Sequence, residues 1–224
     1  MVSVPPERRP LRVECVGTIA YEPMLELQKR RHLEVVQGES DDTLFLLEHT
    51  PVITLGKNAS ETNVLVSRER LSNLGIDCFE AGRGGDVTYH GPGQIVGYPI
   101  LALQPGPERD IRRFVGVLEE LMIRVVGEYG IEARRLEGMR GIWAGGKKIG
   151  AVGVRVARWT TMHGFALNVS TNLEDFQHIV PCGLHGYQVT SMAELLGQTP
   201  SQNTIEQQIV AHAGELLERS AYLI

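Results

Sequence analysis

The amino-acid sequence predicts an α+β fold, and three features point to it. Two helices carry apolar residues at three- and four-residue steps, several runs alternate in the two-residue period of strands, and the strands meet through hairpins without strict strand–helix alternation. That last point separates the pattern from a doubly wound sheet. At about 150 residues per domain, the 224 residues read as one domain, 13–224. The Pro- and Arg-rich stretch 1–12 before it is expected to be disordered.

The first helix is expected over Pro23–Val36, with Met24, Leu27 and Val35 among its apolar positions. Thr43–Leu47 and Val52–Leu55 read as buried strands around His49-Thr50-Pro51. A short helix follows near Ser67–Leu74, with Ser67 suited to the N-cap and Gly75 to the position after the last turn. Ile95–Leu101 reads as another strand. The clearest helix is Asp110 to Tyr129, where Ile111, Phe114, Val115, Leu118, Leu121, Met122, Val125 and Val126 repeat, Asp110 caps and Gly130 stops. Gly141–Ala144 and Ile149–Ala157 form a hairpin through Gly145-Gly146-Lys147-Lys148. From His163 to Ser170 a bulky face alternates with a small or polar one. The last helix starts at Thr204, which with Gln207 has the spacing of a capping box.

Composition narrows the function. Gly makes up 25 of 224 residues, about 11% against the usual 7% or so; without a Gly-X-Y period this signals tight turns and close backbone approaches. The net charge of −5 and pI near 5.8 argue against a nucleic-acid binder. No apolar run approaches a membrane span, and the start lacks the apolar core of a signal peptide. Three widely spaced cysteines, Cys15, Cys78 and Cys182, with no CxxC, fit a reducing compartment, and a cytoplasmic location is expected.

Chemistry concentrates in three places. Arg83-Gly84-Gly85-Asp86-Val87-Thr88-Tyr89-His90-Gly91-Pro92-Gly93-Gln94 interleaves glycines with polar groups, the mixture a backbone needs to approach a ligand closely. It is neither a dinucleotide fingerprint nor a P-loop. Cys182, between Pro181 and Gly183, reads as a thiol on a turn, whereas Cys15 and Cys78 read as apolar filler. A thiol acting as nucleophile needs a partner that lowers its pKa. Lys148 is one candidate, since an ammonium entering an apolar strand beside the sulfur favours the thiolate; His90 and His163 are the others. His178 and His185 flank Cys182 in an HxxxCxxH pattern, but no further ligand supports a metal site there.

Four motifs in order carry a resemblance: the Arg83–Gln94 segment, Lys148-Ile149-Gly150-Ala151-Val152-Gly153-Val154-Arg155, His163-Gly164-Phe165-Ala166-Leu167-Asn168-Val169, and Pro181-Cys182-Gly183. Over roughly residues 40 to 196 the chain closely resembles the lipoyl(octanoyl) transferase family. The resemblance implies a mixed β-sheet with flanking helices, the architecture of biotin and lipoate protein ligases. It implies an acyltransferase in protein lipoylation, with Cys182 as nucleophile and Lys148 as its partner. Acyl binding falls to Arg83, Gly84, Gly85, Asp86, Val87, Thr88, Tyr89 and His90, to Ala151, Val152 and Gly153, and to Gly164, Phe165 and Ala166. The small residues Ala151, Gly153, Gly164 and Ala166 would leave a slot for an unbranched chain.

The implied donor is octanoyl-acyl carrier protein. The implied acceptors are lipoyl domains of 2-oxoacid dehydrogenase complexes and the glycine cleavage H protein. No cofactor or metal is implied, and since amide formation from a thioester runs downhill no ATP is required. Acidic partners would suit a basic rim, for which Arg112, Arg113, Arg134, Arg135, Arg140 and Arg158 are candidates. The alternatives are an ATP-dependent lipoate or biotin ligase on the same fold, which would not need Cys182, and a non-catalytic module that holds acylated carrier protein.

Overall fold

Residues 8–181 and 186–224 are described by the computed structural model. The chain enters through β1 (Arg9–Ile19) and α1 (Tyr21–Gln37). Gly38 ends α1 at φ 76°, where a side chain would be strained, and the Gly38 and Glu39 amides return to the carbonyls of Val35 and Glu34. β2 (Asp42–His49), β3 (Val52–Leu55), α2 (Arg68–Asn73) and β4 (Asp77–Glu80) follow. The Ser67 hydroxyl accepts from the Arg70 amide at the start of α2. Then come β5 (Val87–His90), β6 (Gln94–Ile100) and α3 (Ile111–Gly127), whose Asp110 cap accepts from the amides of Arg112 and Arg113. A meander of β7 (Ala133–Leu136), β8 (Met139–Ala144), β9 (Lys147–Ala157) and β10 (Thr160–Asn168) leads to α4 (Met192–Leu196), α5 (Gln202–Leu216) and β11 (Arg219–Leu223).

Eight strands form one mixed sheet in the order β11-β1-β2-β6-β10-β9-β8-β7, and three form a second, β4-β3-β5. β1 runs parallel to both β2 and β11, and the other neighbours in the large sheet are antiparallel. β2 explains its own apolar run by being covered on both sides. Leu44 and Leu46 pack with Leu118, Met122 and Val125 of α3 and with Ile205 and Ile209 of α5, while Phe45 and Leu47 pack with Met24 and Val35 of α1. The small sheet has a core of its own, built from Ile53, Leu55, Leu71, Val87, Tyr89 and Phe176. The α+β expectation and its mixed sheet with flanking helices match this architecture.

Two differences arise at the chain ends. Residues 9–12, expected in a disordered tail, begin β1: Leu11 and Val13 are fully buried, and Arg9 and Arg12 pair with Arg219 and Tyr222 of β11. Pro10 pairs with Ser220 of β11 alone, because the ladder with β2 begins one residue later at Leu11. The last helix is capped by Ser201, not Thr204; the Thr204 amide donates to the Ser201 hydroxyl, so Thr204 sits inside the first turn. β11 carries no apolar period of its own and is held by a buried charge cluster. Arg219 Nε donates to Asp42 Oδ2 at 2.9 Å and its Nη2 to Glu108 Oε2 at 2.9 Å, with the side chains of Arg219 and Asp42 4% and 0% exposed.

Removing one partner of such a pair strands a buried charge. Arg219→Met is therefore expected to destabilise the fold by about 3 kcal/mol, read from the denaturant midpoint, whereas Arg124→Ala, which breaks half-exposed pairs with Glu120 and Glu215, costs less than about 1 kcal/mol.

Candidate active site

The site forms where the small sheet lies over the large one. After Ala81 the glycine-rich segment runs as a loop through residue 86 and then becomes β5. Its strand period splits the motif in two. Val87 and Tyr89 turn into the small-sheet core, and Thr88 and His90 face a cavity shared with β9 and β10. Gly91 to Gly93 then turns the chain from one sheet to the other. Gly93 takes φ 78° there, and its carbonyl accepts from the amides of Val169 and Ser170 beyond the end of β10. The loop is stitched down by Gly56, Lys57 and Asn58, whose amides donate to the carbonyls of Asp86, Arg83 and Gly85. Arg83 is buried, and its Nη2 donates to the Thr54 carbonyl and hydroxyl at 2.7 and 2.9 Å.

A β-bulge aims Lys148. Ile142 and Trp143, consecutive in β8, pair with Gly150 and Lys148, so β9 carries one extra residue, Ile149, at this point. Regular alternation would put Lys148 on the face opposite Ala151. The extra residue reverses that parity: Ile149 enters the core under α3 and α5, while Lys148 shares a cavity with Ala151, Ala166, Thr88, Gln94 and Asn168. Its Nζ lies 5.6 Å from the centre of the Trp143 ring, and the residue is 7% exposed. Two glycines make room. A Cβ on Gly150 would lie 2.8 Å from Met122 Sδ, and one on Gly141, at φ 98°, would lie 2.9 Å from Lys148 Cε. The Gly141 amide is anchored by the buried Glu119 carboxylate at 2.8 Å, and Glu119 is paired with Arg135.

Beyond Lys148 the cavity continues as a slot between β9, β10 and the loop. Ala151 and Ala166 face each other across the ladder and keep it open. Gly153 and Gly164, also opposite each other, are small for other reasons. A Cβ on Gly153 would press on Arg83 Cδ and the Gly84 carbonyl, and one on Gly164 would fall 2.2 Å from the Gly97 carbonyl oxygen. Of the residues that the resemblance assigns to acyl binding, all but two line the slot. Tyr89 points away, its hydroxyl donating to Asp175 at 2.7 Å, and Gly84 lines a neighbouring groove with Arg112, Met139 and Arg140. Sequence reasoning missed Tyr21 and Tyr98, which line the slot from α1 and β6; no motif marks either one.

Cys182 and His185 lie in residues 182–185, outside the described residues. The flanks of that stretch are fixed. The Val180 amide donates to the Asn63 carbonyl, the Lys148 amide to the Gln188 carbonyl, and the Thr190 amide to the Lys148 carbonyl. Pro181 and Val189 line the same cavity as Lys148. Cys15, expected as buried filler, is exposed on β1, and Cys78 is half-buried. The six arginines of the expected basic rim lie at several places, with Arg134 exposed on β7. Arg112 and Arg140 line the groove beside Lys148, Arg113 lines a separate cavity near Arg219, Arg135 is engaged by Glu119 and Glu120, and Arg158 is exposed on the β9–β10 turn.

His90 and His163 line the slot, and His49 packs against His90 at 5.8 Å between ring centres. Burial, the largest cause in each case, depresses His49 to about 4 and His90 and His163 to about 3, with the Arg83 guanidinium adding to the effect on His90 and His163. All three are neutral near pH 7, which removes His90 and His163 as cationic partners for a thiolate. A depressed histidine binds a proton in the unfolded chain before it does so in the fold. Stability is thus fully present above about pH 6.5 and is lost as pH falls toward 4. Unfolding at pH 5.5 is expected to take up two to three protons by calorimetry in buffers of different ionisation enthalpy. A His49→Gln variant is expected to take up about one fewer; an unchanged uptake would contradict the assignment.

The whole arrangement can be compared with known proteins. The family model described as the lipoyl protein ligase A/B catalytic domain matches residues 20–214. An octanoyltransferase of Caldicellulosiruptor saccharolyticus is 50% identical over 208 residues, 92% of this chain and 88% of its own. One of Solibacter usitatus is 47% identical, covering 91% of each chain. Among solved structures, a putative lipoate protein ligase from T. acidophilum superposes with a TM-score of 0.75 at 15% identity, covering 96% of this chain and 88% of that one. Biotin protein ligase from Aquifex aeolicus gives 0.52 at 12% identity, covering 93% and 69%. The family model covers most of the chain and the curated relatives are 41–50% identical to it, so this chain belongs to the lipoyl protein ligase A/B catalytic-domain family.

Proposed function

We propose that the protein is an octanoyltransferase of protein lipoylation, moving an octanoyl group from octanoyl-acyl carrier protein to a lysine of a lipoyl domain through a thioester on Cys182. The observation that carries this reading is the cavity that joins Lys148, through Ala151 and Ala166, to Pro181, the residue covalently bonded to Cys182.

The proton accounting closes with these two groups alone. In the resting pair Cys182 is a thiolate and Lys148 an ammonium. The sulfur attacks the donor thioester carbonyl, and the tetrahedral intermediate expels the carrier's thiolate, which takes a proton from Lys148. The acyl chain then occupies the slot and Lys148 is a neutral amine. The acceptor lysine attacks the enzyme thioester and gives its proton to Lys148 as the Cys182 thiolate leaves. The amide departs, and the ion pair is restored. The acceptors are lipoyl domains of 2-oxoacid dehydrogenase complexes and the H protein. The groove holding Arg112 and Arg140 beside Lys148 supports an approach by an acidic carrier. No helix among the described residues is long and apolar enough to cross a membrane.

Mixing the protein with octanoyl-acyl carrier protein is expected to add the mass of one octanoyl group, on the peptide that contains Cys182. The adduct should be absent in Cys182→Ser and reduced about tenfold or more in Ala151→Leu, which fills the slot. Full transfer activity in Cys182→Ser, or pyrophosphate exchange with ATP in its place, would overturn the reading.

A further inference from the structure

The far end of the slot is polar, which an alkyl chain does not need. Tyr21 and His163 are 1% and 2% exposed, both line the slot, and neither Tyr21 Oη nor His163 Nε2 has a hydrogen-bond partner among the described residues. Folds keep few such atoms, and each calls for an explanation. His163 is also held in a backbone conformation that side chains rarely adopt, φ 56° in the middle of β10, with its amide donating to Gln28 Oε1 at 2.9 Å. Strain of this kind collects at functional positions, because the surrounding fold must maintain it. The His163 ring packs edge-on against Tyr98, 6.0 Å between centres, which fixes its direction.

The distance along the strands is informative. Ala166 stands opposite Ala151 and His163 opposite Val154, so His163 lies three residues, or about 10 Å, beyond the entrance pair. An extended eight-carbon chain entering between the two alanines ends near that point.

We propose that Tyr21 and His163 form a polar floor that limits the length of the acyl chain this slot accepts. The inference rests on the acyl-transfer reading and deepens it. A chain that stops short of the floor leaves both polar atoms enclosed as they are. Each further methylene has to part the wall there and sets hydrocarbon against two polar atoms that it cannot hydrogen-bond. Burying a methylene in an apolar pocket ordinarily improves binding about fourfold; here the floor turns the gain into a loss.

Two variants test this. Tyr21→Phe removes one oxygen and keeps the ring, and His163→Asn shortens the side chain with a residue that tolerates positive φ. For each protein, kcat/KM is measured with hexanoyl, octanoyl, decanoyl and dodecanoyl thioesters of acyl carrier protein. The decanoyl-to-octanoyl ratio is expected to rise about fivefold or more in each variant, with the hexanoyl-to-octanoyl ratio changed less than about twofold. General damage to the fold would lower all four rates together and leave the ratios in place. Calorimetric binding of octanoate and decanoate to the same proteins reads the floor without turnover. A shifted binding ratio with no transfer by the unmodified protein would count against the acyl-transfer reading and leave the floor standing. Ratios within twofold of the unmodified protein in both variants, or binding of neither acid by any of them, would overturn the proposal.

Discussion

Between Lys148 and Gly150, β9 carries one residue more than its partner β8, and that residue decides which way the lysine points. Without it, Lys148 would side with Val152 against the helices, where an ammonium has no place. With it, Ile149 takes the core position and Lys148 joins Ala151 on the face covered by the small sheet. Much nearby structure serves this one geometry. Gly150 and Gly141 clear space on either side, the Glu119 carboxylate holds the Gly141 amide, and the Trp143 ring lies beside the ammonium. The segment after the proposed nucleophile is tied to the same point, since Gln188 and Thr190 exchange backbone hydrogen bonds with Lys148 itself.

A second constraint follows from the two sheets. The large sheet is covered by α1 on one face and by α3 and α5 on the other. The slot opens where the small sheet overlaps the strands β9 and β10, and there the glycines admit close backbone contact. The overlap also buries His90 and His163 with Arg83, so the slot wall carries neutral imidazoles beside a fixed guanidinium. Such a wall supplies no proton near neutral pH, and the proposed reaction leaves proton movement to the lysine.

What the sequence revealed depended on whether a local rule governed the residue. The amphipathic period of α3 and the caps of α2 and α3 were legible because they are set by neighbours a few positions away. The long motifs located the slot's lining for a different reason: glycines and polar groups crowd together only where a backbone must approach something. β1 and β11 were hidden because their pairing is distant in sequence and rests on Arg219 reaching Asp42. The bulge was equally invisible, since Gly150 gives no sign that its neighbour is the extra residue. Tyr21 and Tyr98 reach the slot from elements whose patterns speak only of packing, and no sequence signal ties them to the motifs.

The central claim is that the Lys148 ammonium holds the Cys182 sulfur as a thiolate. It is tested most directly by following alkylation of Cys182 with iodoacetamide across pH, using peptide mapping to separate it from exposed Cys15. The account predicts that Cys182 titrates below the ordinary thiol range, and that Lys148→Met returns it there and slows alkylation at pH 7 by about tenfold or more. The same alkylation profile in the two proteins would contradict it.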